Sequence, residues 1–170
     1  MSQLRNRDRT KTARLLVLRA GGRRYAIETD LLAHGFDEAS VISCIPTPLP
    51  SAPPAVLGVV RVRGRIYTAL DIAAALGGEH NLMPREETTI YDVAALRIVP
   101  LRGKEQLALA LESVEGTLDG SYESLTAPDA PAEGLRGVIY DGEGRPILVL
   151  EPGELFAAAT RDMERRRRRS

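Results

Sequence analysis

The chain has 170 residues, of which 44% are apolar and 27% are charged, and its formal net charge at neutral pH is zero. This composition is typical of a soluble globular protein with enough apolar residues for a core, and it excludes a chain that is disordered throughout. The longest apolar runs are of strand length, far short of the roughly 20 residues that a membrane-spanning helix needs.

The two ends of the chain are basic and the body between them is acidic. Residues 1–14 carry five basic residues and one acidic residue, residues 161–170 carry six and two, and residues 15–160 have a net charge of −8. Residues 1–14 have too few apolar side chains to offset the entropy of ordering, so we expect disorder there. They also lack the apolar segment of a signal peptide, which favours a cytoplasmic protein. The arginine-rich tail 161–170 is either a solvated tail or a weak attachment to nucleic acid or an acidic membrane surface.

A β-hairpin is the first predicted element. Leu15–Ala20 and Arg23–Glu28 are strand-length segments on either side of Gly21-Gly22, which supplies a tight turn. A short helical turn is expected at Leu31–Ala33, and Val41–Ile45 is predicted to be a strand.

A proline-rich connector then leads into a central hairpin. Residues 46–54 contain five prolines, which remove backbone donors and favour extended geometry, so we expect this connector to lie across a surface. Val56–Val62 and Ile66–Leu70 are rich in β-branched residues and flank a turn centred on Gly64. This pattern predicts a second β-hairpin.

A short helix and a polar segment close the first half of the chain. Asp71 is placed to cap a helical turn over Ile72–Leu76, which Gly77-Gly78 ends. Residues 77–92 are polar and are predicted to be a loop or linker.

The second half has a similar pattern. Tyr91–Leu101 and Gln106–Glu112 predict a third hairpin, whereas Ser113–Asp119 is ambiguous. Gly137–Phe156 predicts a fourth hairpin, and Glu154–Thr160 predicts a short helix.

These hairpins recur at nearly constant spacing, which points to an internal duplication. Gly58 corresponds to Gly137, 79 residues later, and Gly22 corresponds to Gly103, 81 residues later. The repeat and about ten short strands predict an all-β protein with minor helix, built as two five-stranded β-barrel lobes.

The sequence contains no catalytic constellation. Cys44 is the single cysteine, and His34 and His80 accompany no metal-binding or nucleophile motif. We therefore expect a protein that is not an enzyme and that uses no metal, cofactor or small-molecule substrate. A small hydrolase would need Cys44 or a histidine to be essential.

Three arginines flank the central turn. Alternation along a strand would place Arg61, Arg63 and Arg65 on one face, with Arg63 lifted outward by the turn. This face is either an ordinary solvated surface or a docking surface in which Arg63 pairs with a carboxylate.

Residues 48–77 resemble the signature of the CheW-like domain of bacterial chemotaxis. Seven residues match positions that this family keeps: Pro50, Pro53, Gly58, Val59, Arg63, Gly64 and Asp71. Residues 134–156 are similar to the closing strands of the family, and the whole resemblance covers about residues 13–158.

The resemblance implies a non-catalytic adaptor with two intertwined lobes that divide near residues 77–92. It implies three kinds of partner: a CheA-type histidine kinase, the cytoplasmic tip of a chemoreceptor and other CheW-like domains. These would meet in receptor arrays at the inner membrane face. The interlobe groove and the turn at Arg63 and Gly64 would contact the receptor, and exposed barrel ends would bind the kinase. Val59 and Val62 match core or groove-lining positions.

The chain departs from the family pattern at several positions. Arg61 stands where asparagine is common, Thr68 where proline is usual, and Glu151 in place of aspartate. An acidic residue that the family has early in the domain lacks a clear equivalent, although His34, Asp37 or Glu38 would lie near it. An adaptor of a pilus-motility system or another signalling array is therefore an alternative, as is a barrel that binds nucleic acid through its tail.

Overall fold

The computed structural model describes residues 12–34, 41–76, 96–103, 105–121, 125–128 and 133–168. Within these residues the strands are β1 (Thr12–Ala20), β2 (Arg23–Glu28), β3 (Ile42–Cys44), β4 (Val56–Val62), β5 (Arg65–Asp71), β6 (Leu96–Pro100), β7 (Leu107–Leu111), β8 (Ser113–Ser121), β9 (Leu135–Tyr140) and β10 (Pro146–Leu150). The helical segments are a 3₁₀ turn (Thr29–Leu31), a short helix (Ile72–Ala75) and a C-terminal helix (Pro152–Arg167).

The strands form two five-stranded sheets, which confirms the predicted fold class. Sheet I has the order β8-β1-β2-β10-β9, and sheet II has the order β3-β6-β7-β5-β4. Neighbouring strands are antiparallel except for two central pairs, β2 with β10 and β5 with β7, which are parallel.

The two parallel pairs join the first half of the chain to the second. Tyr25 of β2 lies opposite Leu148 of β10, and Thr68 of β5 lies opposite Leu107 of β7. Each sheet therefore takes strands from both halves of the chain. The predicted division near residues 77–92 lies outside the described residues, and a cut there would not separate one sheet from the other.

Both sheets are curled. In each one, the segment that follows one edge strand pairs with the strand at the opposite edge. In sheet II, Thr47 follows β3 and bridges to Val59 of β4 through two hydrogen bonds of 2.9 Å. In sheet I, Thr126 follows β8 and bridges to Val138 of β9 through two more of the same length. Both residues of the second bridge lie 79 residues after their counterparts, which agrees with the sequence repeat.

Gly58 permits the close approach that closes sheet II. Its φ is +141°, and a Cβ atom built on it would lie 2.3 Å from the carbonyl oxygen of Thr47. Gly137 occupies the equivalent place in sheet I, where a Cβ atom would lie 3.0 Å from the carbonyl oxygen of Thr126. The motif glycine is thus required by backbone packing.

The core has one large cluster between the sheets and a smaller cluster inside each curled sheet. Strand β7 shows the division, because its side chains alternate between the two faces of sheet II. Leu107, Leu109 and Leu111 pack in the cluster between the sheets, whereas Ala108 and Ala110 pack inside sheet II. Burying each leucine contributes about 1.5–3 kcal/mol, so the contact between the sheets is a major source of stability.

Several element boundaries differ from the predicted ones. β1 begins at Thr12, inside the segment predicted to be disordered, because residues 12–14 pair with the end of β8. The ambiguous segment after β7 is β8, and the C-terminal helix runs to Arg167, into the predicted tail. The predicted cap is confirmed, since the Asp71 carboxylate accepts a hydrogen bond of 3.2 Å from the Ala74 backbone N–H.

Candidate functional site

The turn between β4 and β5 is a two-residue hairpin connection. Arg63 and Gly64 have φ values of +49° and +79°. Positive φ at both central residues produces a primed turn, whose twist matches that of the flanking strands. Arginine adopts this conformation less readily than glycine, so the Arg63 side chain is displayed at the tip at a modest conformational cost.

The register of the hairpin corrects the predicted position of the arginines. Arg61, Arg63 and Arg65 are all exposed, but Arg61 lies opposite Ile66 whereas Arg65 lies opposite Val62. Residues directly opposite each other point to the same face of a sheet. Arg61 and Arg65 therefore leave opposite faces, because the two-residue turn interrupts the alternation that the sequence prediction counted along one strand.

The other motif residues divide into surface and core. Val59 is partly buried, and Pro50 is exposed in the connector. Val62 is only 2% exposed and packs inside sheet II with Val60 and Tyr67. Val62 therefore lies in the core, which is one of the two places that the resemblance implied for it, and it has almost no surface with which to contact a partner.

Two exposed isoleucines beside Arg61 were not singled out by sequence reasoning. Ile66, opposite Arg61, is 59% exposed. On the other side, the register that Thr47 and Val59 set places Ile45 opposite Arg61, and Ile45 is 63% exposed. Both isoleucines lie in apolar runs that predict buried strands. Their exposure to solvent could therefore not be predicted from the sequence.

The face of β5 that carries Ile66 is also the face that packs in the core between the sheets. Leu70 and Ile66 lie on the same face of β5, since they are four residues apart. Leu70 is fully buried between the sheets, whereas Ile66 at the hairpin tip is exposed. This face of β5 therefore passes from the core between the sheets at Leu70 to solvent at Ile66.

The equivalent turn in sheet I differs in its electrostatics. Arg145, which corresponds to Arg65, pairs with Asp141 at 3.1 Å and with Glu143 at 3.0 Å. Arg24 donates a further bond of 2.7 Å to Asp141. The backbone N–H of Arg145, the Arg24 guanidinium and the backbone N–H of Glu143 hold the pKa of Asp141 far below its usual range.

The arginines of the β4–β5 turn lack such partners. In the part of the chain that the structure describes, Arg61, Arg63 and Arg65 make no ion pair or side-chain hydrogen bond. Of the two corresponding hairpins, one pairs its arginine internally, whereas the other has three arginines without an ion pair among the described residues.

His34 lies near the unpaired arginines. Burial, Arg63 and Arg65, in that order, lower the pKa of the imidazole, and its Nε2 atom is buried without a hydrogen-bond partner among the described residues. The two arginines and the burial of the ring therefore both oppose protonation of His34. Asp37 and Glu38 lie outside the described residues.

We expect Arg63→Gln to raise the pKa of His34 toward its ordinary value, because the substitution removes a nearby positive charge that opposes protonation. The shift is measured by following the His34 imidazole resonances in an NMR titration. Arg61→Gln is the matched control and should leave the titration unchanged, since Arg61 is not among the groups that act on His34. Equal titration curves for wild type and Arg63→Gln would contradict the proximity of the two side chains.

A cleft lies beside the arginine turn at the same end of sheet II. It has a volume of about 130 Å³ and lies between Leu31, the β6–β7 turn and the start of the C-terminal helix at Pro152 and Gly153. The parallel pairing of β5 with β7 places the two turns side by side, and the Thr68 backbone N–H donates a bond of 2.8 Å to the Gln106 carbonyl. The cleft and the arginine turn therefore lie at the same end of two neighbouring strands.

The described residues offer no reactive constellation. Burial raises the pKa of the half-buried Cys44 thiol, which disfavours the nucleophilic thiolate. No group of three or more His, Cys, Asp or Glu side chains in this part of the chain could hold a metal ion. His80 lies outside it. The cleft and the arginine turn have the groups to bind a protein and lack an acid, base and nucleophile that converge.

Comparison with known proteins places these features in a family. The family described as "CheW-like domain" matches residues 14–160. The "Chemotaxis protein CheW" of Rhizobium meliloti (strain 1021) is 30% identical over 118 residues, which cover 68% of this chain and 72% of that protein. The crystal structure of the scaffolding protein TtCheW from Thermoanaerobacter tengcongensis superposes with a TM-score of 0.61 at 15% identity, covering 83% of this chain and 90% of that one. Among the described residues, no helix is both long enough and apolar enough to cross a bilayer.

Proposed function

The chain belongs to the CheW-like domain family, and on that premise we propose that it is a non-catalytic adaptor that couples chemoreceptors to a CheA-type histidine kinase. It acts in the cytoplasm and is recruited to receptor arrays at the inner membrane face. Its contribution is geometric, because each interface is modest but simultaneous engagement of several partners raises their effective concentration and makes assembly cooperative.

The observation that carries this proposal is the contrast between the two hairpin turns. Arg145 is satisfied by Asp141 and Glu143, whereas Arg61, Arg63 and Arg65 are exposed and without an ion pair among the described residues. An exposed guanidinium keeps its hydration and has no internal bond to break before it binds. It is therefore ready to form a bidentate pair with a carboxylate of another protein.

The surfaces are assigned to partners as follows. The arginine turn, the exposed Ile66 and the cleft beside them receive the cytoplasmic tip of a chemoreceptor, a helical hairpin whose apolar stripe enters the groove while its carboxylates meet the arginines. The exposed barrel ends bind the kinase and other CheW-like domains. The cationic turn favours an acidic partner. Because Arg61, Thr68 and Glu151 depart from the family pattern, an adaptor of another signalling array, such as one for pilus motility, is the second candidate.

We expect Arg63→Glu to weaken association with the receptor tip at least tenfold while the urea-unfolding transition stays unchanged. A reversed charge replaces an attraction with a repulsion across the interface, and such like-charge contacts cost several kcal/mol. The measurement is a titration of the purified chain with the receptor fragment.

The matched control is Arg23→Glu. It makes the same charge change at an exposed arginine that directly follows the β1–β2 turn of sheet I. This control should bind as the wild type does. If both variants bound equally well, or if both lost affinity to the same extent, the role given to Arg63 would be wrong.

A further inference from the structure

An uncharged part of the chain leads up to Arg61. Residues 41–60 contain no charged residue, although 27% of the whole chain is charged. Among the described residues four large hydrophobic side chains are exposed, and three of them lie in this part or on the strand that pairs with it: Ile45, Leu49 and Ile66. Exposed apolar side chains that cluster in this way are typical of a surface that binds another molecule.

Two of these side chains lie in one row across sheet II. Arg61 of β4 is opposite Ile66 of β5, and the bridge between Thr47 and Val59 places Ile45 opposite Arg61 on the other side. Residues that are directly opposite share a face, and neighbouring strands are about 4.8 Å apart. The two isoleucines therefore lie about 10 Å apart on one face, with Arg61 between them.

The next row of the same face is uncharged as well. Thr47, Val59 and Thr68 are opposite one another there, and Val59 and Thr68 are half-buried. Arg61 is the one charged side chain among the six residues of the two rows. Arg65 of the same hairpin stands outside this patch, because it leaves the opposite face of the sheet.

We propose that the row of Ile45, Arg61 and Ile66 binds an amphipathic helix that lies across β4 and places a carboxylate on Arg61. Seven residues of an α-helix rise about 10.5 Å, so two apolar residues seven positions apart match the spacing of the two isoleucines. A residue four positions after the first of them lies on the same face of the helix, over Arg61. The partner segment is therefore an apolar stripe that contains one glutamate or aspartate.

Arg61 determines the specificity of the row more than its affinity. A helix that covers the row takes the guanidinium out of water, and this cost is offset when a carboxylate pairs with it. A neutral residue at the same place would leave a buried charge without a partner. Asparagine, which is common at this position in CheW-like domains, has no charge to leave unpaired, so Arg61 narrows the range of helices that this chain accepts. Assigning such a helix to the tip of a receptor rests on the proposed function.

The test uses the full chain and two fluorescent peptides, each stapled to hold it in a helix. Both peptides have two leucines seven positions apart, and they differ in the residue four positions after the first leucine, which is glutamate in one and glutamine in the other. Measured by fluorescence anisotropy, wild type should bind the glutamate peptide roughly 30-fold more tightly than the glutamine peptide. Arg61→Asn should bind the two peptides alike.

Arg65→Asn is the matched control, because it removes the same charge from the opposite face of the same hairpin. Arg61 and Arg65 are both exposed, so neither change should alter the fold, and Arg65→Asn should keep the preference for glutamate. Ile66→Ser should weaken the binding of both peptides without changing their ratio, since it removes an apolar contact that the two complexes share.

Three results would overturn the proposal: no binding of either peptide, equal binding of both by wild type, or an equal loss of preference in Arg61→Asn and Arg65→Asn. The peptides contain no receptor sequence, so their binding is separate from the receptor titration. A receptor fragment that failed to bind wild type would contradict the adaptor function and leave the peptide result standing.

Discussion

Gly58→Ala is expected to lower the free energy of unfolding by about 4 kcal/mol. Part of this loss is backbone strain, since a φ of +141° is a conformation that alanine rarely adopts. The remainder is steric, because the new Cβ atom would lie 2.3 Å from the Thr47 carbonyl oxygen. Backbone atoms cannot rotate away as a side chain can, so the bridge that closes sheet II must open or shift. Urea unfolding followed by circular dichroism measures the change.

Two other glycines separate these contributions. Gly144→Ala introduces strain alone, because its φ is +77° and nothing lies within 4 Å of the new atom, so we expect a loss of about 1 kcal/mol. Gly142→Ala introduces neither strain nor a clash and should be nearly neutral. If Gly58→Ala were no more destabilising than Gly144→Ala, the close approach of Thr47 would not be what requires the glycine.

Neither half of the chain is expected to fold by itself. Residues 1–84 contain β2 and β5 without their parallel neighbours, and residues 85–170 contain β10 and β7 without theirs. The cluster between the sheets is divided as well, since Leu16 and Ile27 lie in one half and Leu109 and Leu150 in the other. The lost burial exceeds the net stability of about 5–15 kcal/mol that a domain of this size has.

The two fragments should nevertheless assemble when they are mixed. Each supplies the central strand that the other lacks, so an equimolar mixture should recover the circular dichroism spectrum and a cooperative urea transition. Chemical-shift dispersion in NMR spectra of each isolated fragment provides the control. A monomeric fragment with a sharp unfolding transition of its own would contradict the strand exchange.

The local elements were predictable because their signals are local. Glycine turns and β-branched runs located the hairpins of β1–β2 and β4–β5, and the capping role of Asp71 followed from its place before a short apolar run. The exchange of strands between the sheets was not predictable in this way. It depends on contacts such as that between Tyr25 and Leu148, more than 120 residues apart, for which periodicity carries no information.

The candidate site was predictable only in part, for the same reason. The motif pointed to Arg63 and Gly64, and both are exposed at a hairpin tip. The opposite faces of Arg61 and Arg65 depend on the length of the turn, which alternation within one strand does not reveal. The pairs of Arg145 with Asp141 and Glu143 are local to one turn. The bond from Arg24 to Asp141 joins residues that are 117 apart in sequence and is a tertiary property.

The central place of β10 has a consequence for synthesis on the ribosome. β10 is the last strand to be made, yet it lies beside β2 in the middle of sheet I. Sheet II needs no residue beyond Leu111, so it can form its strand ladder while translation continues. At 5–20 residues per second, β1 and β2 must wait for several seconds with unpaired backbone groups before their sheet is complete. During that interval the nascent chain is a substrate for chaperones, and a premature stop before β10 leaves a product with a permanently open edge.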